Sequence, residues 1–187
     1  MPRGAEFISR TQEVGMDMPV ATRPVQPDDA RQFCRLWDRL SPDTVYRRFH
    51  APLRRPPVGA ERLVLVDHDL REAVVAVIGD DVVGVARYDR TPADRSTAEF
   101  AVVVEDAWQG FGVGRQLVEE LTGLAARRGV RTLTATVQKD NDRVVRLIRR
   151  LLPGSTFTPD SDVYDVESPL STASGPLRAP SLLQTTH

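Results

Sequence analysis

The chain has 187 residues, 41% of them hydrophobic and 27% charged, a length and balance that fit one globular domain with a buried core. Its 25 basic and 26 acidic residues leave a formal charge of -1, which removes the usual electrostatic footprint of a nucleic-acid or anionic-membrane binder. No apolar run has the length of a membrane-spanning helix, and the lone cysteine, Cys34, excludes an internal disulfide or a Cys-rich zinc site.

No sustained apolar period runs from Met1 to Met18, where Gly4 and Gly15 interrupt the pattern, so residues 1–18 are expected to be a flexible segment. They also lack a signal-peptide core, which with the single cysteine makes a reducing, cytoplasmic setting the expectation. Pro27, Asp28 and Asp29 make a helix start, with carboxylates at the positive end of the dipole. Phe33, Leu36, Trp37 and Leu40 follow at i, i+3, i+4 and i+7 and define one apolar face. Cys34 lies beside that face and reads as filler. A second short helix restarts at Ser41-Pro42-Asp43 and runs through Val45, Tyr46 and Phe49, and a third is expected around Glu61 to Val66.

Strand signals come next. The β-branched run Ala73 to Ile78, the turn Gly79-Asp80-Asp81 and the run Val82 to Tyr88 predict a hairpin, and Thr97 to Val104 a further strand. A long helix is expected over about Gly112 to Arg128, with Val113, Leu117, Leu121 and Leu124 buried and Gly129 ending it. Thr132 to Val137 is another strand. Asp140-Asn141 caps a helix carrying Val144, Ile148, Leu151 and Leu152, which Pro153-Gly154 closes. Val163 to Val166 reads as a last short strand. Half of the residues from Ser168 to His187 are Ser, Thr or Pro, and 168–187 is expected to be a disordered tail. The fold class is α/β, a mixed central sheet with helices on it.

The chemistry concentrates in Gln109-Gly110-Phe111-Gly112-Val113-Gly114-Arg115, between a strong strand and a strong helix. Glycines at alternate positions allow a tight turn and leave backbone N–H groups unshielded at a helix N-terminus, where phosphate oxygens bind well. Arg115 adds a charged donor. A dinucleotide fingerprint fails because its third glycine position holds Arg115, and a P-loop fails for want of a Gly-Lys-Ser/Thr ending. A glycine turn with no ligand stays open as the plain alternative.

The pattern Gln109, Gly112 and Gly114 between strand and helix is similar to the signature of the GCN5-related N-acetyltransferase (GNAT) family, and Asn141-Asp142-Arg143 resembles the opening of that family's later helix. The resemblance extends over roughly Ala21 to Val166. More narrowly, Leu40 to Phe49, Val83 to Tyr88, Ala98-Glu99 and Trp108-Gln109-Gly110 resemble the acetyltransferase domain of bacterial protein lysine acetyltransferases. This implies a single GNAT-like domain over 19–167, with a mixed, mostly antiparallel sheet flanked by helices. It implies acetyl-CoA as co-substrate and no metal. The pyrophosphate would lie on the amides of Gln109, Gly110, Phe111, Gly112, Val113, Gly114 and Arg115. The pantetheine arm would pair with the backbone at Val102 and Val104, with Asn141 on its other side.

The resemblance further implies that Glu99 is the general base that takes a proton from the attacking amine. A departure stands beside it: the position of the family's proton-donating tyrosine holds Ile148, with Tyr164 the remaining phenol candidate. The implied acceptor is a primary amine, a protein lysine first; a small-molecule amine acetyltransferase and a non-catalytic acetyl-CoA sensor are the alternatives, and the chain is expected to be a monomer or homodimer. Arg47, Arg48, Arg54 and Arg55 form either a solvated basic surface or a contact for an acidic protein or the coenzyme's 3′-phosphate. Asp67-His68-Asp69 reads as a solvated helix end rather than a metal site, since adjacent residues rarely converge on one ion. Trp108 is expected beneath the glycine turn.

Overall fold

The computed structural model describes residues 11–14, 18–56 and 64–170. Eight strands form one sheet in the order β1-β2-β3-β4-β5-β6-β8-β7: β1 Thr11–Val14, β2 Met18–Pro24, β3 Arg71–Ile78, β4 Asp81–Asp89, β5 Thr97–Val104, β6 Thr132–Gln138, β7 Thr156–Asp160 and β8 Val163–Pro169. Only β5 and β6 run parallel; the other neighbours are antiparallel. The helices are α1 Ala30–Arg39, α2 Pro42–Phe49, α3 Val113–Arg127 and α4 Asp142–Leu151.

Strand alternation divides the core between the two faces. Val74, Ala76, Ala86, Tyr88, Ala98 and Phe100 pack on one side with Leu117 and Leu121 of α3 and Val145 and Ile148 of α4. Ala73, Val75 and Val82 pack on the other with Phe33 and Leu36 of α1. Because both faces are covered, β3 is buried almost along its length, which is why its sequence reads as a continuous apolar run.

The helix starts follow from local chemistry. Asp29 is buried before α1, where it accepts from Arg23 at 2.6 and 2.7 Å and from the Gln26 backbone N–H at 2.7 Å. Ser41 caps α2 by accepting from the Thr44 N–H at 3.2 Å. Asn141 caps α4 by accepting from the Val144 N–H at 3.3 Å. Gly129, at φ +80°, follows α3.

Several expectations need revision. Thr11–Val14 form an edge strand inside the stretch read as flexible, because an edge strand needs only a paired backbone and not an apolar period. β2 and β7 give no strong alternation and were not foreseen. Cys34 is exposed, one position off the buried stripe of α1, and fills no core space. Leu124 is only half-buried. β8 continues past 167 to Pro169, with Ser168 fully buried and 2.7 Å from the Ser155 hydroxyl. The remainder of the expected tail, from 171, and residues 61–63 of the expected helix lie outside the described residues; Val64 is helical, but Leu65 and Val66 are not, so the helix stops short of its expected end.

Gly84 of β4 sits where α3 crosses the sheet. A Cβ there would stand 3.0 Å from Leu117 Cδ1 and 3.1 Å from the Val103 carbonyl oxygen, whereas one on Gly123 in α3 would meet only the flexible end of Arg127. Gly84→Ala is therefore expected to destabilise the protein by about 1–3 kcal/mol through overpacking. Gly123→Ala should stabilise it by about 0.4–1 kcal/mol by stiffening the unfolded chain. Urea denaturation of the two variants checks both signs.

Candidate functional site

β5 and β6 are bonded over only three residue pairs, Thr97–Thr132, Ala98–Leu133 and Glu99–Thr134. Beyond Glu99 the two strands diverge while β5 stays paired with β4 as far as Val104. The Glu105 N–H donates to the Val83 carbonyl at 2.8 Å, so odd-numbered residues of β5 direct their backbone groups to β4 and even-numbered ones away from it. Val102 and Val104 thus present N–H and C=O groups to the opening. The Val104 carbonyl is taken by Gln109 Nε2 at 3.0 Å.

The glycine turn closes the wide end of this fork. Gly110 and Gly112 both stand at φ +89°, with open space where a Cβ would be; their backbone conformation, rather than crowding, calls for glycine. Gly112 is the N-cap of α3, and the first intrahelical bond runs from the Gln116 N–H to its carbonyl at 3.1 Å. The amides of Val113, Gly114 and Arg115 consequently have no intrahelical acceptor. Phe111 is exposed and Val113 fully buried. Arg115 is paired with Glu119 at 2.8 Å along α3, which draws its charge along the helix.

The Gln109 side chain is held on three sides: Nε2 donates to Val104 O and, at 3.1 Å, to Thr44 Oγ1, while Oε1 accepts from Arg143 Nη1 at 2.6 Å. Asp106, in the 3₁₀ turn before it, accepts from the Ser41 N–H (2.9 Å), the Ser41 hydroxyl (2.7 Å) and the Thr44 hydroxyl (2.8 Å). Burial pushes the Asp106 carboxyl up, but these hydrogen bonds outweigh it and hold the group below its ordinary value. Arg47 adds a link from α2 to Asp140 at 3.2 Å. These contacts tie α2, the end of β5 and the start of α4 around one opening. Trp108 packs against the core at the base of the turn.

Glu99 is exposed on β5 at the apex of the fork, in the last bonded pair. Ala98 and Phe100 are buried on the α3 side, so Glu99 shares the opposite face with Ala101 and Val103. Those two line an apolar cleft with Phe33, Leu36, Trp37 and Phe49, into which Arg48 and Arg87 also reach. Among the sequence-predicted residues, Val102, Val104 and 109–115 therefore gather at the fork, with Glu99 at its apex. Asn141 stands at the β6 side, but its Oδ1 is spent on the α4 cap.

Ile148 is buried in the core. Tyr164 pairs in register with Val137, with its ring edge-on to Phe157 at 5.8 Å and Lys139 Nζ 5.7 Å from its centre. The sequence reading included Arg143 and Thr44 only within motifs and gave neither a role at the site, and it missed Asp106 and the cleft. A Ser-x-x-Thr pair ahead of an aromatic helix gives no signal of a carboxylate sixty residues away. The Asp67 to Asp69 stretch is a structural turn: Asp67 Oδ1 accepts from three backbone N–H groups, Asp69 pairs with Arg90 and Arg95, and His68 meets the buried Glu72.

Comparison with known proteins agrees with this geometry. A model of the acetyltransferase (GNAT) family matches residues 32–152. The chain is 29% identical to an acetyltransferase of Pseudomonas aeruginosa over 119 residues, 61% of this chain and 63% of that protein. It is 32% identical to acetyltransferase Pat of Mycolicibacterium smegmatis over 133 residues, 69% of this chain and 39% of that protein. The chain thus spans less than two thirds of either relative's length. Among solved structures, the GNAT domain of S. lividans PAT superposes with a TM-score of 0.78 at 27% identity, covering 87% of this chain and 97% of that one.

Two of the turn's three glycines separate conformational from steric demand. Gly112→Ala forces a Cβ into a left-handed conformation and should cost about 1–2 kcal/mol. Gly114→Ala would place its Cβ at an ordinary 3.7 Å from Leu147 and Val104 and should leave ligand-free stability nearly unchanged. Denaturant melts showing equal losses for the two would contradict the assignment.

Proposed function

The chain belongs to the acetyltransferase (GNAT) family, and from that premise we propose that it transfers an acetyl group from acetyl-CoA to a primary amine, with a protein lysine as acceptor. The observation that carries the reading is the fork: backbone donors and acceptors of β5 face an opening whose wide end is lined by the glycine-turn amides. Such a site suits a ligand with an amide-bearing arm and a phosphate head. Bound acetyl-CoA supplies a thioester as acyl donor. In this reading residues 19–167 form the catalytic domain and the amides of 110–115 hold the pyrophosphate, the Gln109 N–H being already donated to the Asp106 carbonyl at 3.3 Å; Val102 aligns the arm, with Val104 Cα beside it although Gln109 occupies its carbonyl. Asn141 positions the α4 end of the site by capping.

Glu99 acts as general base. A lysine ammonium has a reference pKa near 10.4 and must lose a proton before its nitrogen attacks, and a carboxylate at the fork apex can take it directly or through one water. The C–S bond then breaks as the C–N bond forms, and the nitrogen gives its second proton to solvent. A thiol of ordinary pKa, near 8.5, is a far better leaving group than an amine, so the step proceeds without a tyrosine at the Ile148 position, and we assign the thiolate's proton to solvent.

The resemblance of Leu40 to Phe49, Val83 to Tyr88 and Trp108-Gln109-Gly110 to the bacterial protein lysine acetyltransferases supports the choice of a protein lysine. So does the form of the cleft beside Glu99, which is lined mainly by apolar side chains rather than built as a closed polar pocket. Glu99→Gln is expected to lower kcat by about 10²–10⁴-fold and leave acetyl-CoA affinity unchanged. Steady-state kinetics together with a binding titration test this, and an unchanged kcat would remove Glu99 from the mechanism.

A further inference from the structure

Arg48 lies in the last turn of α2, between Arg47, which pairs outward with Asp43 and Asp140, and Phe49. Its guanidinium carbon stands 4.7 Å over the Phe49 ring, itself 5.5 Å from Trp37. The side chain is turned into the cleft between α1, α2 and the β4–β5 face. Among the described residues, no hydrogen bond or ion pair reaches its guanidinium. A half-buried guanidinium held, among the described residues, only against an aromatic ring is poorly compensated, and burial, then the charge of Arg87, push it below its ordinary pKa, while Glu99 and Asp89 oppose them.

The other charges on this face are accounted for. Arg87 is held by both oxygens of Asp89, at 2.8 and 2.9 Å. Arg39 is engaged by the buried Glu105 at 2.8 Å. Among the described residues, this face therefore offers a carboxylate without an ion-pair partner, Glu99, beside the cleft, and a guanidinium without one, Arg48, in its mainly apolar lining. An ammonium entering toward Glu99 adds a positive charge beside Arg48. Once Glu99 has taken the proton, Arg48 loses the negative charge that favoured its charged form. A negative group carried in by the acceptor offsets both changes.

Resting on the acetyl-transfer reading above, we infer that Arg48 is a specificity residue that binds a carboxylate of the acceptor, so that the preferred substrate is a lysine with a neighbouring Glu or Asp. Guanidinium and carboxylate would meet in a largely apolar surrounding, where charge-assisted hydrogen bonds are strongest.

The test uses the full chain and pairs of single-lysine peptides that differ only by Glu or Gln beside the lysine. Acetyl transfer is followed by release of free thiol. The same peptides are titrated calorimetrically into the protein saturated with coenzyme A. Wild type should favour the Glu peptide by about tenfold in kcat/KM and in Kd. Arg48→Gln should abolish that preference, Arg48→Lys should retain part of it, and acetyl-CoA affinity should be unchanged in both.

No preference in wild-type binding would overturn the proposal, as would a preference that survives Arg48→Gln. An equal loss of turnover on both peptides in Arg48→Gln, with no preference in either protein, would make Arg48 a partner of Glu99 and overturn it as well. A binding preference without any transfer would uphold the carboxylate site and refute the transferase reading instead. Transfer to free amino acids but not to peptides, lost in Arg48→Gln, would uphold the carboxylate and refute the protein acceptor.

Discussion

Two parallel strands that stop bonding after three residue pairs create the feature on which the rest depends. Continued pairing of β5 with β6 would satisfy the backbone of Val102 and Val104 and leave no opening. Stopping at Glu99–Thr134 leaves polar groups that need partners, since an unpaired buried amide or carbonyl is costly. The protein supplies one partner itself, Gln109 Nε2 on the Val104 carbonyl. In our reading the rest of that requirement is met by the pantetheine arm. The same divergence sets Glu99 at the apex, where arm and acceptor would meet.

A fork of this kind has to be held open, and the contacts around it do so from outside. β4 pins the outer edge of β5 along six residue pairs, with Gly84 admitting Leu117 against the strand. Asp106, Thr44, Gln109 and Arg143 link α2 to the β5 end and to α4 through hydrogen bonds of 2.6 to 3.1 Å. The two faces of the sheet thereby acquire separate tasks. The α3–α4 face carries most of the core, and the α1–α2 face carries the cleft, with Arg48 in its lining and Glu99 beside it.

Much of this was legible in the sequence because it depends on local rules. The periods of α1, α3 and α4, the hairpin at Gly79-Asp80 and the glycine turn all follow from residues close together in the chain. Elements fixed by distant partners were not legible. β1 and β7 are edge strands whose pairing is a backbone property. Asp106 resembles any loop carboxylate until Ser41 and Thr44 are brought to it. Arg48 was visible only as part of a basic cluster; the fold splits that cluster by turning Arg47 outward to Asp140 and Arg48 inward over Phe49. Gln109 was read as a ligand residue, yet its side chain serves the frame of the site.

Thermal unfolding of the full chain with and without acetyl-CoA tests the central claim most directly. If the fork and turn bind the coenzyme, a concentration about 100-fold above Kd adds roughly 2.7 kcal/mol. That raises Tm by about 5–11 °C for a domain of this size, with a smaller rise for Gly112→Ala at the same concentration. An unchanged Tm at saturating acetyl-CoA would mean that the turn is only a turn and would contradict the account.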